Sequence, residues 1–203
     1  MKYIEFVCQW NVGRSPLAEA IGQEWLDKQR VTEIAARSSG AFVAEKSASP
    51  LRLVQFALGK GIYDNRQLAE IQRLIASGQT ENLWPFYEQA QLQFNAQEKH
   101  FRDRALERLN IRRKAKDNPE QTIVRADNLA LFALDRRSHG RIKEVYANQN
   151  HPIYLLGEYA TDRQGLELPN CFGLPESAFI ENACEIAKYV PRALEKLLSE
   201  VKS

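Results

Sequence analysis

Apolar residues along this chain follow two patterns, short continuous runs and longer stretches spaced as on one face of a helix. The continuous runs are a few residues long and end near Cys8, Gly40, Leu134 and Leu156, which is typical of strands buried on both faces. Helically spaced apolar residues lie between and after them. The alternation predicts an α/β fold, a three-layer sandwich with a four-stranded parallel sheet between helices.

Local signals place several helix boundaries. Ser15-Pro16 and Ser49-Pro50 each combine a residue that caps helix N-termini with a proline suited to the first turn. Each pair therefore predicts a helix start. Pro191 interrupts the last apolar stripe, so a kink or break is expected near Val190.

Residues 79–121 do not fit the strand-helix alternation. Tyr87, Phe94 and Phe101 recur every seven residues there, which predicts one long helix or a helical hairpin. We interpret this segment as a helical insertion within a single domain, residues 1–203.

Composition narrows the class of protein. Apolar residues make up 44% of the chain and charged residues 27%, as in ordinary globular proteins. No apolar run approaches the ~20 residues that span a bilayer, so no membrane association is expected. Three cysteines are too few and too scattered for a disulfide framework, which favours the reducing cytoplasm. The histidines lack metal-ligand spacing, so neither metal nor cofactor is predicted. The oligomeric state is left open.

Charge is uneven along the chain. Eight basic and four acidic residues lie between Glu98 and Asp117, although the net charge of the whole chain is only +2. Four of the basic residues are spaced by four and would share one helical face: Arg104, Arg108, Arg112 and Lys116. This face is a candidate for an anionic partner, such as a phosphoprotein or a nucleic acid. The alternative is an ordinary solvated face.

The segment Cys8 to Ser15 joins the first strand to the first helix and contains the candidate chemistry. A loop that opens onto a helix N-terminus presents free N–H groups and a positive dipole, a setting suited to an anion and a nucleophilic thiolate. Arg14 can bind two phosphate oxygens through its planar guanidinium. Ser15 can donate to the Cys8 sulfur, and Asn11 can hold the loop. Backbone N–H groups of the remaining loop residues would surround the phosphate: Gln9, Trp10, Val12 and Gly13. The alternative is a buried strand cysteine, a surface arginine and a capping serine.

The pattern Val7-Cys8-x-x-Asn11-x-x-Arg14-Ser15-Pro16-x-Ala18-Glu19 resembles the active-site loop of the low-molecular-weight protein tyrosine phosphatase family. The likeness extends over about 1–78 and 122–200. The resemblance implies attack of Cys8 on phosphorus, a phosphocysteine intermediate and its hydrolysis. The expected substrate is a phosphomonoester, with protein phosphotyrosine as one candidate, and the apolar Val12 agrees with the tyrosine-directed members. Trp10 and Phe172 would wall the mouth of the site or merely pack.

The family's general acid is an aspartate, and the matching position here is Asn170. An amide cannot transfer the proton, so slow turnover is expected, by about 10²–10⁴-fold for a lost acid. Asp162 or Glu167 could substitute for it. Alternatively, the protein binds phosphate or a phosphoprotein without efficient turnover.

The cysteines outside the loop suggest two further hypotheses. The resemblance places Cys171 in a loop over the site, where it could form a redox pair with Cys8. Cys184 lies on the apolar stripe of the last helix and is expected in the core. An arsenate reductase is the least favoured function, because no resolving cysteine pair lies between residues 79 and 135.

Overall fold

A computed structural model describes residues 1–44 and 49–202. Over these residues four strands pair in the order β2-β1-β3-β4, all parallel. The strands are β1 (Lys2–Cys8), β2 (Ile34–Gly40), β3 (Asn128–Ala133) and β4 (Ile153–Leu155). Each lies within a residue or two of an apolar run, and the prediction of a four-stranded parallel α/β fold is confirmed.

The described helices are α1 (Arg14–Lys28), α2 (Pro50–Ala57), α3 (Asn65–Ala76), α4 (Trp84–Arg108), α5 (Arg136–Val145), α6 (Leu156–Thr161) and α7 (Glu176–Lys202), with a 3-10 turn at Thr80–Leu83. Three expectations change. Helix α1 starts at Arg14 with Gly13 as its N-cap residue, so Ser15 is not the cap. Helix α7 continues through Pro191, so the helix is not broken there. The short helix α6 was not predicted.

The side-chain alternation of β1 divides the core between two faces of the sheet. Ile4, Phe6 and Cys8 pack in one apolar cluster with residues of α1 and α7. Val7 points to the other face, where it packs with Ile142 of α5. Helices therefore cover both faces, which is the three-layer arrangement expected from the continuous apolar strands.

The chain divides into two compact units. One comprises Met1–Val43 and the chain from Glu98 onward, and it contains the sheet with α1, α5, α6 and α7. The other comprises Ala44–Gln97. Within that second unit the Tyr63 hydroxyl donates to the carbonyl of Phe86 at 2.8 Å. Burial raises the pKa of Tyr63 to about 12.

The segment from Gln79 to Gln121 contains the 3-10 turn and then one long helix, α4, which ends at Arg108. The residues that follow run without a regular helix to β3. The two compact units divide the chain at 97/98, inside α4. A single domain of 1–203 with an insertion at 79–121 remains a prediction.

Candidate phosphate-binding site

The loop between β1 and α1 lies at the carboxyl end of the central strand. Cys8 is the last residue of β1, residues 9–13 form a series of bends, and α1 begins at Arg14. The first N–H groups of a helix have no partners within the helix. The loop therefore joins a buried thiol to an anion-attracting helix end.

Neighbouring backbone closes over this loop. The Ala41 and Phe42 N–H groups donate to the carbonyls of Cys8 and Gln9 at 2.8 and 2.9 Å. Gly40 permits this approach, since a Cβ there would lie 2.9 Å from the Asn11 nitrogen and from the Trp10 carbonyl carbon. A larger residue at position 40 would push the loop away from β2.

Asn11 holds the loop from inside. Its backbone is left-handed, with φ of 54°, a conformation that asparagine tolerates better than most residues. The side-chain amide nitrogen donates to Ser15 Oγ at 3.0 Å and to Ser38 Oγ at 2.9 Å, and Oδ1 accepts from the Glu120 N–H at 2.9 Å. Asn11 is thus placed as expected, and its partners come from three segments of the chain.

The Cys8 sulfur lies in a buried cluster of donors. The Asn11 N–H donates to Sγ at 3.3 Å, and Ser15 Oγ lies 3.0 Å from it. Ser15 has one hydroxyl proton, and its oxygen also lies 3.2 Å from the Ser39 carbonyl. When Cys8 is a thiol it can donate to Ser15, which then donates to Ser39. When Cys8 is a thiolate, the serine proton can turn to the sulfur and stabilise it.

Arg14 is buried at the start of α1, with its guanidinium fixed from two sides. One terminal nitrogen donates to Asp135 Oδ2 at 2.8 Å, and the other donates to the Leu168 carbonyl at 2.9 Å. Asp135 also accepts from the Ser138 N–H at 2.8 Å through Oδ1 and so caps α5. This carboxylate links Arg14 to a second helix end. Sequence placed Asp135 at the end of a strand but gave it no role.

The segment after Leu168 lies beside the phosphate loop. The Trp10 and Phe172 rings pack edge to face, with centroids 4.3 Å apart. Asn170 lies in the chain between Leu168, which accepts from Arg14, and Phe172. Its side chain is exposed, and its Oδ1 accepts from the Phe172 N–H at 3.4 Å. The structure therefore places Phe172 against Trp10 of the loop, and the role of Asn170 as the acid position remains a prediction.

The two carboxylates considered as substitutes for Asn170 have other partners. Asp162 is exposed and pairs with Lys196 Nζ at 2.6 Å. Glu167 accepts from the Arg136 N–H at 2.8 Å, at the start of α5. These contacts do not favour either group as the missing acid.

The two remaining cysteines differ in exposure. Cys171 is buried, and its Sγ lies 3.6 Å from the carbonyls of Pro169 and Ala178. Burial raises the pKa of the Cys171 thiol, the Arg14 charge opposes the shift, and the Glu98 charge adds to it. Cys184 is exposed, so its expected place in the core was wrong. No disulfide joins the three cysteines.

Two residues of α4 contact the loop from outside the motif. Arg102 is only 2% exposed, and one of its terminal nitrogens donates to the Val12 carbonyl at 3.3 Å and to the Lys116 carbonyl at 2.9 Å. Glu98 is also buried and packs against Gly13, where a Cβ would lie 2.3 Å from its Oε2. The sequence indicated only that Glu98 and Arg102 would share one helical face, since they are four residues apart.

The expected basic face does not form, because α4 ends at Arg108 and leaves Arg112 and Lys116 outside the helix. Lys116 instead donates to the Ser38 carbonyl and pairs with Glu120 at 3.3 Å. Arg104 pairs with Glu176 at 3.6 Å. The four side chains therefore do not form one stripe along a helix.

Among the described residues, no group of three or more histidine, cysteine or acidic side chains could hold a metal ion. Within the same part of the chain, no helix is both long and apolar enough to cross a membrane.

The structure thus joins a parallel α/β sheet, a cysteine beneath a loop, and an arginine where that loop enters a helix. Residues 3–73 match the family model described as low molecular weight phosphotyrosine protein phosphatase. This is the family that the motif resembled, and the match covers the first strand, the loop and α1 together with the chain into α3. No curated protein sequence matches the chain.

Solved structures show the same fold. A mutant of YwlE from Bacillus subtilis aligns with a TM-score of 0.60 at 18% identity, covering 98% of this chain and 99% of that one. A low molecular weight phosphotyrosine phosphatase from Vibrio cholerae O395 gives 0.59 at 17% identity, with 98% of both chains covered. Wzb from Vibrio vulnificus, in complex with benzylphosphonate, gives 0.58 at 10% identity, with 96% of this chain and 97% of that one covered.

Proposed function

We propose that the protein hydrolyses phosphomonoesters through a phosphocysteine on Cys8. The observation that carries this proposal is the setting of the sulfur, with the Asn11 N–H at 3.3 Å and Ser15 Oγ at 3.0 Å. These groups stabilise a thiolate when it attacks and when it later leaves. The helix end and the loop N–H groups would bind the equatorial phosphoryl oxygens in the transition state.

The reaction has two steps. The Cys8 thiolate attacks phosphorus, the bond from phosphorus to the ester oxygen breaks, and the leaving oxygen takes a proton. Water then attacks the phosphocysteine, the bond from phosphorus to sulfur breaks, and inorganic phosphate and the thiolate are released. Arg14 is already oriented by Asp135 and Leu168, so little side-chain entropy is lost when an anion arrives.

Aryl phosphates, including protein phosphotyrosine, are the proposed substrate class. Trp10 and Phe172 form an aromatic pair beside the loop, and an aromatic leaving group could stack there. One structural neighbour, Wzb, is described with benzylphosphonate, an aromatic phosphonate. A cytoplasmic location belongs to the same proposal, because a thiolate nucleophile must stay reduced.

A second candidate function is phosphate or phosphoprotein binding without efficient turnover. The observation that favours it is Asn170, an amide at the position where the resembling family has its acid. Both functions need the same loop, so binding alone does not separate them.

Steady-state and burst hydrolysis of p-nitrophenyl phosphate test the proposal. We expect turnover by the parent protein, none above background for Cys8→Ser, and parental rates for the exposed control Cys184→Ser. Acid-quenched protein should contain one phosphoryl group on the Cys8 peptide. Tight phosphate or vanadate binding without Cys8-dependent turnover would instead establish the binding function.

A further inference from the structure

The phosphate loop has a buried acidic neighbour that its motif does not include. Glu98, on α4, is 6% exposed. Its Oε2 occupies the space that a side chain at position 13 would need, 2.3 Å from where a Cβ would lie. The Phe179 ring closes the same space at 2.8 Å. Glycine at position 13 therefore lets a carboxyl group rest directly on the anion-binding loop.

Cys171 links this carboxyl group to the segment that contains Asn170. Its Sγ lies 3.6 Å from the carbonyl of Ala178, and the ring of the next residue, Phe179, borders the same space at Gly13 as Glu98. Both the Arg14 and Glu98 charges act on the pKa of the Cys171 thiol, in opposite directions. Cys171 follows Asn170 directly, and Arg14 donates to the carbonyl of Leu168. Glu98 thus lies near the segment that follows Leu168 and contains Asn170.

Contacts one turn further along α4 hold Glu98 in place. Arg102 donates from that turn to the Val12 carbonyl at 3.3 Å. Phe101 packs against Phe179, with ring centroids 6.2 Å apart. The helix is therefore fixed to the loop beside Glu98, which is the rigidity that proton transfer to a bound substrate requires.

We propose that Glu98 is the proton donor and acceptor that Asn170 cannot be. This inference rests on the proposed phosphatase function. A phosphoryl dianion in the loop favours the protonated carboxyl group, because two like charges at close range resist coexisting. As the ester bond breaks, the Glu98 proton passes to the leaving oxygen. In the second step the Glu98 carboxylate takes a proton from the water that attacks phosphorus, and the Cys8 thiolate leaves.

The test is Glu98→Gln, which keeps the shape and removes the transferable proton. Its rates should be compared over aryl phosphates with leaving groups from 2,4-dinitrophenol to phenol. We expect about 10²–10⁴-fold loss of kcat/KM with phenyl phosphate, because this quantity reports the step that breaks the ester bond. The loss of kcat/KM should be small with dinitrophenyl phosphate, since a stable phenolate leaves without a proton. The loss of kcat should be similar for all substrates where hydrolysis of the phosphocysteine limits the rate, because Glu98 is the proposed base of that step. Glu107→Gln, an exposed change on the same helix, should keep parental rates with both substrates.

A restoring variant separates proton transfer from support of the loop. Asn170→Asp in the Glu98→Gln background should recover most of the phenyl phosphate activity, because it supplies a carboxyl group from the neighbouring segment. Vanadate affinity and thermal unfolding should remain close to parental in Glu98→Gln. These two measurements show whether the loop itself has changed.

Several outcomes overturn the proposal. An equal loss of kcat/KM with every leaving group, or a loss matched by weaker vanadate binding, would make Glu98 a support of the loop only. Unchanged or increased rates in Glu98→Gln would also reject it while leaving the phosphatase function standing. A parent protein without Cys8-dependent turnover would reject both.

Discussion

The link between Arg14 and Asp135 permits a quantitative test of how the phosphate loop is held. Asp135→Asn is nearly isosteric, yet it removes the charge that faces the guanidinium. The two side chains are 4% and 6% exposed and lie 2.8 Å apart. Asp135 also caps α5 through its second oxygen, so both of its acceptors are in use.

An amide at this position cannot satisfy both partners. If the amide oxygen caps the Ser138 N–H, the amide NH2 group faces the Arg14 donors; if the oxygen turns to Arg14, the cap is lost. A charged hydrogen bond contributes about 1.5–3 kcal/mol, and removing one partner of a buried ion pair typically costs about 3–5 kcal/mol. We therefore expect Asp135→Asn to lose about 3 kcal/mol of unfolding free energy.

Urea unfolding followed by tryptophan fluorescence measures this loss. Glu144→Gln is a matched control on the same helix, because Glu144 pairs with Arg141 at 2.9 Å but its side chain is 68% exposed. That change should shift the unfolding free energy by less than about 0.5 kcal/mol. If Asp135→Asn is as mild as the control, the buried pair does not hold the loop and the reasoning is refuted.

Two further predictions concern groups that the loop motif does not contain. Arg102→Met should lower the unfolding free energy by about 2 kcal/mol, since the Val12 and Lys116 carbonyls lose their donor; it should also weaken vanadate binding. The exposed Arg104→Met is its control, and equal effects in urea unfolding would contradict this role. In the folded protein, iodoacetamide at pH 8 should label Cys184 well before Cys171, because burial raises the pKa of the Cys171 thiol and leaves less thiolate at a given pH. Peptide mass spectrometry measures both rates, and faster labelling of Cys171 would contradict its burial.

The sequence predicted the parts of the molecule that depend on local pattern. The apolar runs located all four described strands, because strands buried on both faces consist mostly of apolar residues. The span from Cys8 to Ser15 likewise predicted the loop, since its cysteine, asparagine and serine interact within seven residues. Both patterns are contained in short stretches of the sequence, so they can be recognised without knowing the fold.

Capping could not be resolved from residue type alone. Ser15 has the composition of an N-cap, yet it lies inside α1 and its hydroxyl is 3.0 Å from Cys8 Sγ. No side chain caps α1, so the first N–H groups of that helix are not occupied by a capping side chain. A serine at this position can either cap a helix or bond to the cysteine sulfur, and the path of the loop decides which of the two occurs.

Glu5 shows why long-range polar partners stayed hidden. It interrupts an apolar strand in the sequence, yet it is fully buried in β1. Its carboxylate accepts from Asn128 Nδ2 at 2.7 Å and pairs with Arg37 at 3.2 Å. Partners 32 and 123 residues away along the chain leave no periodic signal in the sequence. The pattern therefore showed an acidic residue inside an apolar strand but did not indicate what it would bind.

Partners distant in the chain also support the candidate site, and the sequence did not reveal them. Asn11, Arg14 and Gly13 belong to the motif, yet each also contacts a residue outside it: Glu120, Asp135 and Glu98 respectively. All three partners follow residue 73, where the family match ends. A loop that must bind an anion cannot also satisfy its own backbone and side chains, so other segments must support it. Differences in chemistry between this chain and others of its fold should therefore arise from these supporting residues outside the motif rather than from the motif itself.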